Sequence, residues 1–159
     1  MLRRALRIGR SRTGLGAFAS RDLPKNRRIA EYKGLLLGEP AAIRAETHGN
    51  RYLFEIDRNH TIDGTGRGNL ARYINHSCNP NAEAIYAPKQ RVFIKTLRRI
   101  RRGEEVTYSY GNDYLNNVIG RSNCKCSRCT RRRAKRKREA RLSKKARQRR
   151  AKLARLRKK

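Results

Sequence analysis

The sequence has 159 residues, with 43 Lys or Arg against 12 Asp or Glu, and a formal net charge of +31. This length suits one domain, and this density of positive charge favours a polyanionic partner, with nucleic acid as the first candidate and an anionic membrane surface as the rival. No apolar run approaches the ~20 residues that cross a bilayer, so we expect a soluble protein with no transmembrane segment.

Short β-type segments dominate residues 3–110, where apolar residues alternate or cluster between Gly, Pro, Asn and Asp. The start, MLRRALRIGRSRTG, has the composition of a transit peptide, but the first predicted strand begins within it and leaves little to cleave. Two stretches favour helix, namely residues 39–49, with Pro40 near the start and Gly49 at the end, and residues 68–75. The predicted strands span residues 3–8, 15–20, 29–37, 52–57, 82–86, 91–97 and 106–110.

A basic tail occupies residues 131–159, which hold 18 Lys or Arg and one acid, Glu139. It contains no Gly or Pro, and a thin apolar stripe of Leu and Ala falls loosely on one helical face. Because the stripe is thin and the charges repel, we expect disorder in free solution and a helix on an anionic partner. The alternatives are a solvated tail that only aids solubility and a membrane-bound or calmodulin-type helix.

The four cysteines are Cys78, Cys124, Cys126 and Cys129, and three of them lie in the sequence CKCSRC. A close cluster with one distant member favours a metal site in a reducing, intracellular compartment over two disulfides. Tetrahedral zinc takes four sulfur or nitrogen ligands, so Cys78 is the thiol that completes the set, with His76 as an alternative fourth ligand. In a third interpretation the thiols bind no metal and Cys78 is simply buried.

Three further features are weak evidence when each is taken alone. Gly14 and Gly16 form a G-x-G at the entry to a strand, but the third glycine and the following helix of a dinucleotide-binding fold are missing. Residues 75–81, NHSCNPN, are typical of a turn-forming loop. Tyr108 and Tyr110 lie two apart on a predicted strand and therefore on one face, where packing is the simplest explanation.

Taken in chain order, these motifs resemble those of the SET-domain protein-lysine methyltransferases. The matching stretches are RTGLGAFA, IAEYKG, YLFEID, DGTGRGNLARYINHSCNPN, GEEVTYSYG and CKCSRC. The resemblance implies a mostly β fold of several small sheets with short helices, in which NHSCNPN and the strand ending at Tyr110 cross to form a pseudoknot. It also implies three parts: a SET domain at 3–111, a post-SET-like zinc segment at 112–130 and the basic tail at 131–159.

The resemblance assigns roles to individual residues. A glycine loop of the G-x-G type lets the backbone approach S-adenosylmethionine closely, since glycine has no side chain. The thiol that follows Asn-His-Ser matches a structural zinc ligand. The positions that match cofactor contacts are Gly14, Leu15, Gly16, Tyr52, Asn75 and His76. The positions that match zinc ligands are Cys78, Cys124, Cys126 and Cys129.

The implied reaction is methyl transfer from S-adenosylmethionine to a lysine ε-nitrogen that enters through a narrow channel. Tyr110 matches the catalytic tyrosine, whose hydroxyl orients the reacting groups. Tyr108 stands where the family has either Phe or Tyr, and its hydroxyl leaves less room for a second methyl group, so we predict chiefly monomethylation. The lysine must enter neutral, and its burial, the sulfonium charge and the basic enzyme all favour the neutral amine.

Two departures from the family pattern bear on the site. Ser109 replaces a more usual aspartate between the two tyrosines, which removes a negative charge near the reaction. The spacing C-x-C-x-x-C is tighter than the commoner family spacing, which affects the geometry of the ligand set.

We expect the substrate to be a histone or another DNA-associated basic protein, with nucleic acid bound by the tail and the chain itself a monomer. The expected location is the nucleus or chromosome, the bacterial nucleoid, or a host nucleus entered by a secreted effector. The alternative function is a non-catalytic chromatin- or nucleic-acid-binding module on a SET scaffold.

Overall fold

The computed structural model describes residues 5–156. Arg3, where the first predicted strand and domain begin, and residues 157–159 of the predicted tail lie outside the described residues. The helical elements are α1 (Glu39–Thr47), a 3-10 helix at Leu70–Tyr73, a π-helix at Tyr114–Ile119 and α2 (Ser127–Leu156). The strands are β1 (Leu6–Ser11), β2 (Gly14–Ala19), β3 (Arg28–Tyr32), β4 (Leu35–Leu37), β5 (Leu53–Asp57), β6 (His60–Asp63), β7 (Asn75–His76), β8 (Ala82–Ala87), β9 (Arg91–Thr96) and β10 (Thr107–Tyr108).

The strands form four small sheets. β1 and β2 make an antiparallel hairpin, β6 lies between β4 and β5, and β9 lies between β3 and β8. The fourth sheet pairs β7 with β10, and this pairing is parallel, with Asn75 opposite Thr107 and His76 opposite Tyr108. The predicted mostly β fold of small sheets with few helices is confirmed.

One apolar core joins the sheets. Val92 and Ile94 alternate along β9 and are fully buried, as two-residue periodicity requires when one face of a strand meets the core. Ile74, Ile100 and Val106 are at most 1% exposed and come from the loops that lead to and from β7 and β10. Burial of the residues just before both strands of the parallel pair therefore fixes where that pair lies.

The NHSCNPN segment is bound tightly to the chain around β10. The Ser77 amide donates to the Tyr108 carbonyl at 3.0 Å, and the Asn81 amide donates to the Thr107 carbonyl at 3.2 Å. The Asn81 side chain accepts from the Thr107 amide at 2.8 Å and donates to the Glu105 carbonyl at 2.8 Å. Two segments far apart in sequence are thus held side by side.

The structure differs from the predicted elements in several places, one of which is β7, whose two residues lie in stretches predicted as helix and loop. The predicted strand at 29–37 is two strands, because a Cβ on Gly34 would lie 2.0 Å from the Asp63 carbonyl oxygen where the chain passes β6. β6 was not predicted, since its four residues follow a turn closed by the Asn59 amide on the Asp57 carboxylate at 2.8 Å. The predicted helix at 68–75 is only the four-residue 3-10 helix. The π-helix was not predicted either.

The tail is helical over its described length. α2 starts at Ser127, so it crosses the predicted boundary between residues 130 and 131 without a break. Disorder of the tail in free solution stays a prediction. Within residues 5–156, no helix is both long enough and apolar enough to cross a membrane.

Candidate active site and metal centre

The four cysteines meet at one point beside the parallel pair. Their sulfur atoms all lie within 4.8 Å of one another, and Cys124 and Cys129 are buried. The Cys78 sulfur is 3.9 Å from that of Cys124 and 3.6 Å from that of Cys129. A second small apolar cluster surrounds them, with Leu115 of the π-helix buried against the thiols.

This arrangement fits a tetrahedral zinc ion. Four sulfur ligands at ~2.3 Å from a metal lie ~3.8 Å from each other in a tetrahedron, which is close to the sulfur separations found here. The donor set of four thiols is also the one that zinc prefers in structural sites. Burial raises the pKa of the Cys78 thiol to about 12, so a metal has to displace its proton on binding. His76 is not needed to complete this set.

His76 instead bridges the thiol cluster and the chain just after β10. Its Nδ1 accepts a hydrogen bond from the Tyr110 amide at 3.2 Å, which leaves the proton on Nε2. Nε2 lies 3.3 Å from the Cys78 sulfur and donates to it. Burial lowers the pKa of His76, in agreement with a neutral ring in this tautomer. The side chain therefore connects the cysteine cluster to the backbone of Tyr110.

The glycine loop and Asn75 are packed together. The Asn75 amide nitrogen lies within hydrogen-bond distance of three acceptors: the Ser11 hydroxyl at 3.0 Å, the Leu15 carbonyl at 3.1 Å and a Glu105 carboxylate oxygen at 2.8 Å. A Cβ on Gly16 would lie 2.8 Å from that carboxylate and 3.0 Å from the Asn75 amide nitrogen. Only glycine leaves room for this contact, so the predicted loop and the predicted asparagine form one surface.

Arg72 also belongs to the site, although the sequence motifs do not predict it. Its guanidinium lies over the Tyr52 ring, 3.7 Å from the ring centroid, and donates to the Thr65 carbonyl. Its Nε is buried without a hydrogen-bond partner among the described residues. A buried, unpartnered donor beside Tyr52 is suited to an anionic group such as a carboxylate. The signal in the sequence is an arginine inside the otherwise apolar turn LARYI.

Aromatic rings form the other wall of the site. The rings of Tyr108 and Tyr110 are 4.8 Å apart, and Tyr114 of the π-helix meets Tyr110 at 5.4 Å. The Tyr110 hydroxyl donates to the Ile74 carbonyl at 2.7 Å. The Tyr108 side chain is buried, and its ring also lies 6.4 Å from that of Phe54. Burial raises the pKa of both tyrosines, so both stay protonated at neutral pH.

Ser109 points away from these rings. It is exposed, and its hydroxyl accepts from the Gly111 amide at 3.4 Å. Neither Tyr108 nor Tyr110 is in hydrogen-bond contact with it among the described residues. The aspartate expected at this position would therefore act on the tyrosines through its charge and not through a direct hydrogen bond.

Together, the small sheets, the parallel pair with the buried Tyr108, the partly buried Tyr110 just after it and the thiol cluster next to it define a domain of the SET type. The family model described as SET domain matches residues 14–111, and the chain belongs to this family. The resemblance inferred from the motifs is thus confirmed.

Two relatives are named histone-lysine N-methyltransferases. Human histone-lysine N-methyltransferase 2D is 43% identical over 116 residues, which cover 67% of this chain and 2% of that protein. The histone-lysine N-methyltransferase, H3 lysine-4 specific, of Schizosaccharomyces pombe is 38% identical over 118 residues, which cover 68% of this chain and 13% of the relative. The chain therefore spans only a small part of the length of these relatives.

The fold is also similar to part of a solved complex. The crystal structure of the Chaetomium thermophilum polycomb repressive complex 2 contains a chain that matches with a TM-score of 0.65 and 26% identity. The match covers 72% of this chain and 16% of that one.

Proposed function

We propose that this protein transfers a methyl group from S-adenosylmethionine to the ε-amine of a protein lysine, with a histone as the first candidate substrate. The observation that carries the proposal is the parallel pairing of β7 with β10, which puts His76 opposite Tyr108, while the His76 ring also accepts a hydrogen bond from the Tyr110 amide. The named activity of the relatives supports the same assignment.

The cofactor would lie on the surface formed by the glycine loop and Asn75. When bound, S-adenosylmethionine supplies an electrophilic methyl group. Gly14, with φ of 111°, and Gly16 leave the loop backbone uncovered, while Arg72 offers its unpartnered Nε to a carboxylate. Leu15, Tyr52 and His76 complete the contacts assigned by the resemblance.

Tyr110 would act as an acceptor beside the lysine amine. Its proton is engaged by the Ile74 carbonyl, so its free lone pair faces the site and orients an N–H of the incoming amine. Because its pKa is raised by burial, it does not serve as a general base at neutral pH. The lysine must then lose its proton to water before it reacts, and its reference pKa is ~10.4.

This role of the lysine predicts a pH dependence. The methylation rate at saturating cofactor should rise with pH above 8 with a logarithmic slope near one, because the neutral amine becomes more abundant. A flat profile from pH 7 to 9 would contradict a solvent-deprotonated lysine.

The Tyr108 hydroxyl is the basis for proposing chiefly monomethylation. It lies within the aromatic wall, so it can hydrogen-bond the lysine amine and occupy room that a second methyl group needs. In Tyr108→Phe, mass spectrometry should show more di- and trimethyl product. Abundant trimethyl product from the wild-type protein would contradict this assignment.

We also propose zinc at Cys78, Cys124, Cys126 and Cys129, with the predicted division into residues 3–111, 112–130 and 131–159. Zinc would have a structural role, because four protein ligands leave no open position for a substrate. Its ligand Cys78 accepts a hydrogen bond from His76, and His76 accepts one from the Tyr110 amide. The metal centre would therefore also help to hold the chain just after β10 in position.

Chromatin is the proposed location. The relatives named above are eukaryotic histone methyltransferases, which favours the nucleus over the bacterial nucleoid and over secretion into a host. The S. pombe relative makes lysine 4 of histone H3 the first lysine to test. Since the structural neighbour is part of a complex, we propose that this chain too works with partner proteins and not as the monomer expected from its sequence.

The basic tail is proposed to bind nucleic acid. The chain has a net charge of +31, which repels a free lysine-rich peptide, and DNA on the tail would cancel part of that repulsion. Methylation of histones should therefore increase when DNA is present. Deletion of residues 131–159 should remove this increase while activity on a free peptide remains.

The test of the proposed activity uses labelled S-adenosylmethionine, recombinant histones with and without DNA, and Tyr110→Phe as the inactive control. Transfer of label to a histone lysine by the wild type alone supports the proposal. Binding to histones or DNA with no transfer under any condition would support the alternative, a non-catalytic module on a SET scaffold. The unbroken set of Asn75, His76 and Tyr110 contacts argues against that alternative.

A further inference from the structure

Most of the basic helix α2 does not pack on the rest of the protein. All described side chains from residue 134 onward are exposed. The helix has 30 residues and is therefore ~45 Å long. Because this part of the helix packs on nothing, burial does not stabilise it, and its dense charge favours an anionic partner.

The charges surround the helix on every side. The run RRRAKRKR at residues 131–138 contains seven basic residues, and successive residues turn by about 100° around the axis. A helix that lies on a membrane needs one broad apolar face, whereas the large apolar side chains described here are only Leu142, Leu153 and Leu156. A partner that presents negative charge on two sides of the helix matches this distribution better than a flat surface does.

Duplex DNA is such a partner. Its major groove is ~12 Å wide, admits an α-helix and has phosphates along both walls. Proteins that bind single strands stack bases on aromatic side chains, and residues 127–156 include no aromatic residue. Arg and Lys dominate the helix, so the contacts would go to phosphates and would not depend on the base sequence.

The base of α2 belongs to the cysteine cluster. Cys129 lies in its first turn and is buried among the thiols. Arg128 donates to the Cys78 carbonyl at 2.9 Å, and Arg133 donates to the Cys124 carbonyl at 2.6 Å. Three contacts within two turns fix both the position and the direction of the helix relative to the Cys78 loop.

That loop lies next to the proposed active site. The Cys78 sulfur is 3.3 Å from His76, which accepts from the Tyr110 amide. DNA held along α2 would therefore occupy a set position relative to the lysine channel. A rigid connection aligns a DNA-bound substrate more effectively than a flexible tether of the same reach.

We propose that the cysteine cluster, Arg128 and Arg133 form a rigid mount from which α2 holds duplex DNA beside the lysine channel, so that the lysine of a DNA-bound protein is presented for methylation. The mount is a positioning device, distinct from the residues that bind the cofactor. This inference rests on the proposed lysine methyltransferase activity.

A flexible insertion tests the mount. The segment Gly-Gly-Ser-Gly-Gly is inserted after Ala134, and the matched control carries the same segment after Leu156. Affinity for a duplex of about 30 base pairs is measured by fluorescence anisotropy, with duplex length chosen to exceed the ~45 Å helix. Methylation is measured on a free histone peptide and on histones bound to DNA.

We expect both insertion proteins to bind duplex as the wild type does and to methylate the free peptide equally. DNA should stimulate the wild type and the control about ten-fold or more, while the protein with the insertion after Ala134 should lose most of this stimulation. Full stimulation of that protein would overturn the rigid mount and leave α2 as a simple tether.

Two double variants separate the effect of losing the carbonyl contacts from the effect of losing positive charge. Arg128→Gln with Arg133→Gln removes both carbonyl contacts, and Arg132→Gln with Arg136→Gln removes the same charge from exposed positions. Both should lose similar DNA affinity. At saturating DNA, only the first should lose the stimulation, and equal stimulation in the two would again overturn the mount.

The same experiments also test duplex DNA as the partner separately from the methyltransferase activity. Tighter binding to single-stranded DNA or to anionic vesicles than to duplex at the same salt concentration would overturn duplex DNA as the partner. If no variant methylates any substrate while α2 still binds duplex, the proposed methyltransferase function fails and the DNA assignment stands.

Discussion

The body of the protein, residues 5–111, and the segment from residue 112 to 156 are held together by different means. The body buries a continuous set of apolar side chains, including Ile74, Ile94 and Val106, across all four sheets. The later segment buries Leu115, Cys124 and Cys129 and otherwise exposes or half-exposes its described residues. We therefore expect hydrophobic burial to suffice for the body and the later segment to depend on what joins its thiols.

The two regions meet at a few atoms. His76 links the Cys78 sulfur to the Tyr110 amide, and Tyr114 of the π-helix packs against the Tyr110 ring. The proposed catalytic residue, Tyr110, therefore belongs to the body, whereas part of what contacts its ring belongs to the later segment. A perturbation of either region should reach the site, but by different routes.

Metal removal should have the largest effect. Zinc binding by four thiolates contributes on the order of 10 kcal/mol, and the later segment has few other buried contacts. Chelation, or Cys129→Ser, should abolish amide protection over residues 112–133 in hydrogen exchange while β8 and β9 stay protected. Equal loss of protection in both regions would show that the body also depends on the metal.

Tyr110→Phe should act on the reaction and leave both regions folded. The variant keeps the ring that packs on Tyr108 and Tyr114 but loses the hydroxyl that reaches the Ile74 carbonyl. We expect kcat to fall about 100-fold or more, because the amine is no longer oriented. Tyr86→Phe, at an exposed tyrosine, is the matched control and should retain activity. Zinc content unchanged in both variants would localise the loss to the hydroxyl, and normal turnover by Tyr110→Phe would refute its catalytic role.

His76→Gln should weaken the link between the regions. Glutamine cannot at once accept from the Tyr110 amide and donate to the Cys78 sulfur with the geometry of the imidazole. Residues that hydrogen-bond a metal ligand change metal affinity or activity about 10- to 100-fold when they are replaced. We therefore expect a lower zinc affinity in chelator competition as well as slower methylation. His60→Gln, at a histidine paired with Asp57, is the control. Equal zinc affinity in the two variants would confine His76 to the cofactor side.

The sequence predicted the body better than the later segment. Strands such as β8 and β9 are six residues long and rich in clustered apolar residues, which is enough to identify them. β7 and β10 have two residues each and owe their pairing to contacts such as Asn81 with Thr107, which no local pattern encodes. The π-helix and the length of the 3-10 helix were missed because tertiary packing, not propensity, decides such short elements.

The residues of the candidate site also divide into those that the sequence predicted and those that it did not. Motifs identified the glycine loop, Asn75, the two tyrosines and the four thiols, because each has an unusual residue type at a recognisable spacing. Arg72 was missed because its unpartnered Nε becomes visible only when Tyr52 and Thr65 are placed around it. The bridging contacts of His76 were also missed, since they depend on the relative position of β7, β10 and the cysteine loop.

Ionisation of the single residue Tyr108 should give the smallest effect, seen in the stability of the protein at alkaline pH. Burial raises the pKa of Tyr32, Tyr108 and Tyr110, so the folded protein holds these protons more tightly than the unfolded chain does. Stability from this source is complete below pH ~9 and declines above the unfolded tyrosine pKa of ~10, by up to ~1.4 kcal/mol per pH unit for each tyrosine. Tyr108→Phe removes one of these protons, so urea unfolding between pH 9.5 and 11 should show a shallower decline for the variant than for the wild type. Parallel declines would mean that Tyr108 ionises equally in the folded and unfolded chains, which its burial in the aromatic wall argues against.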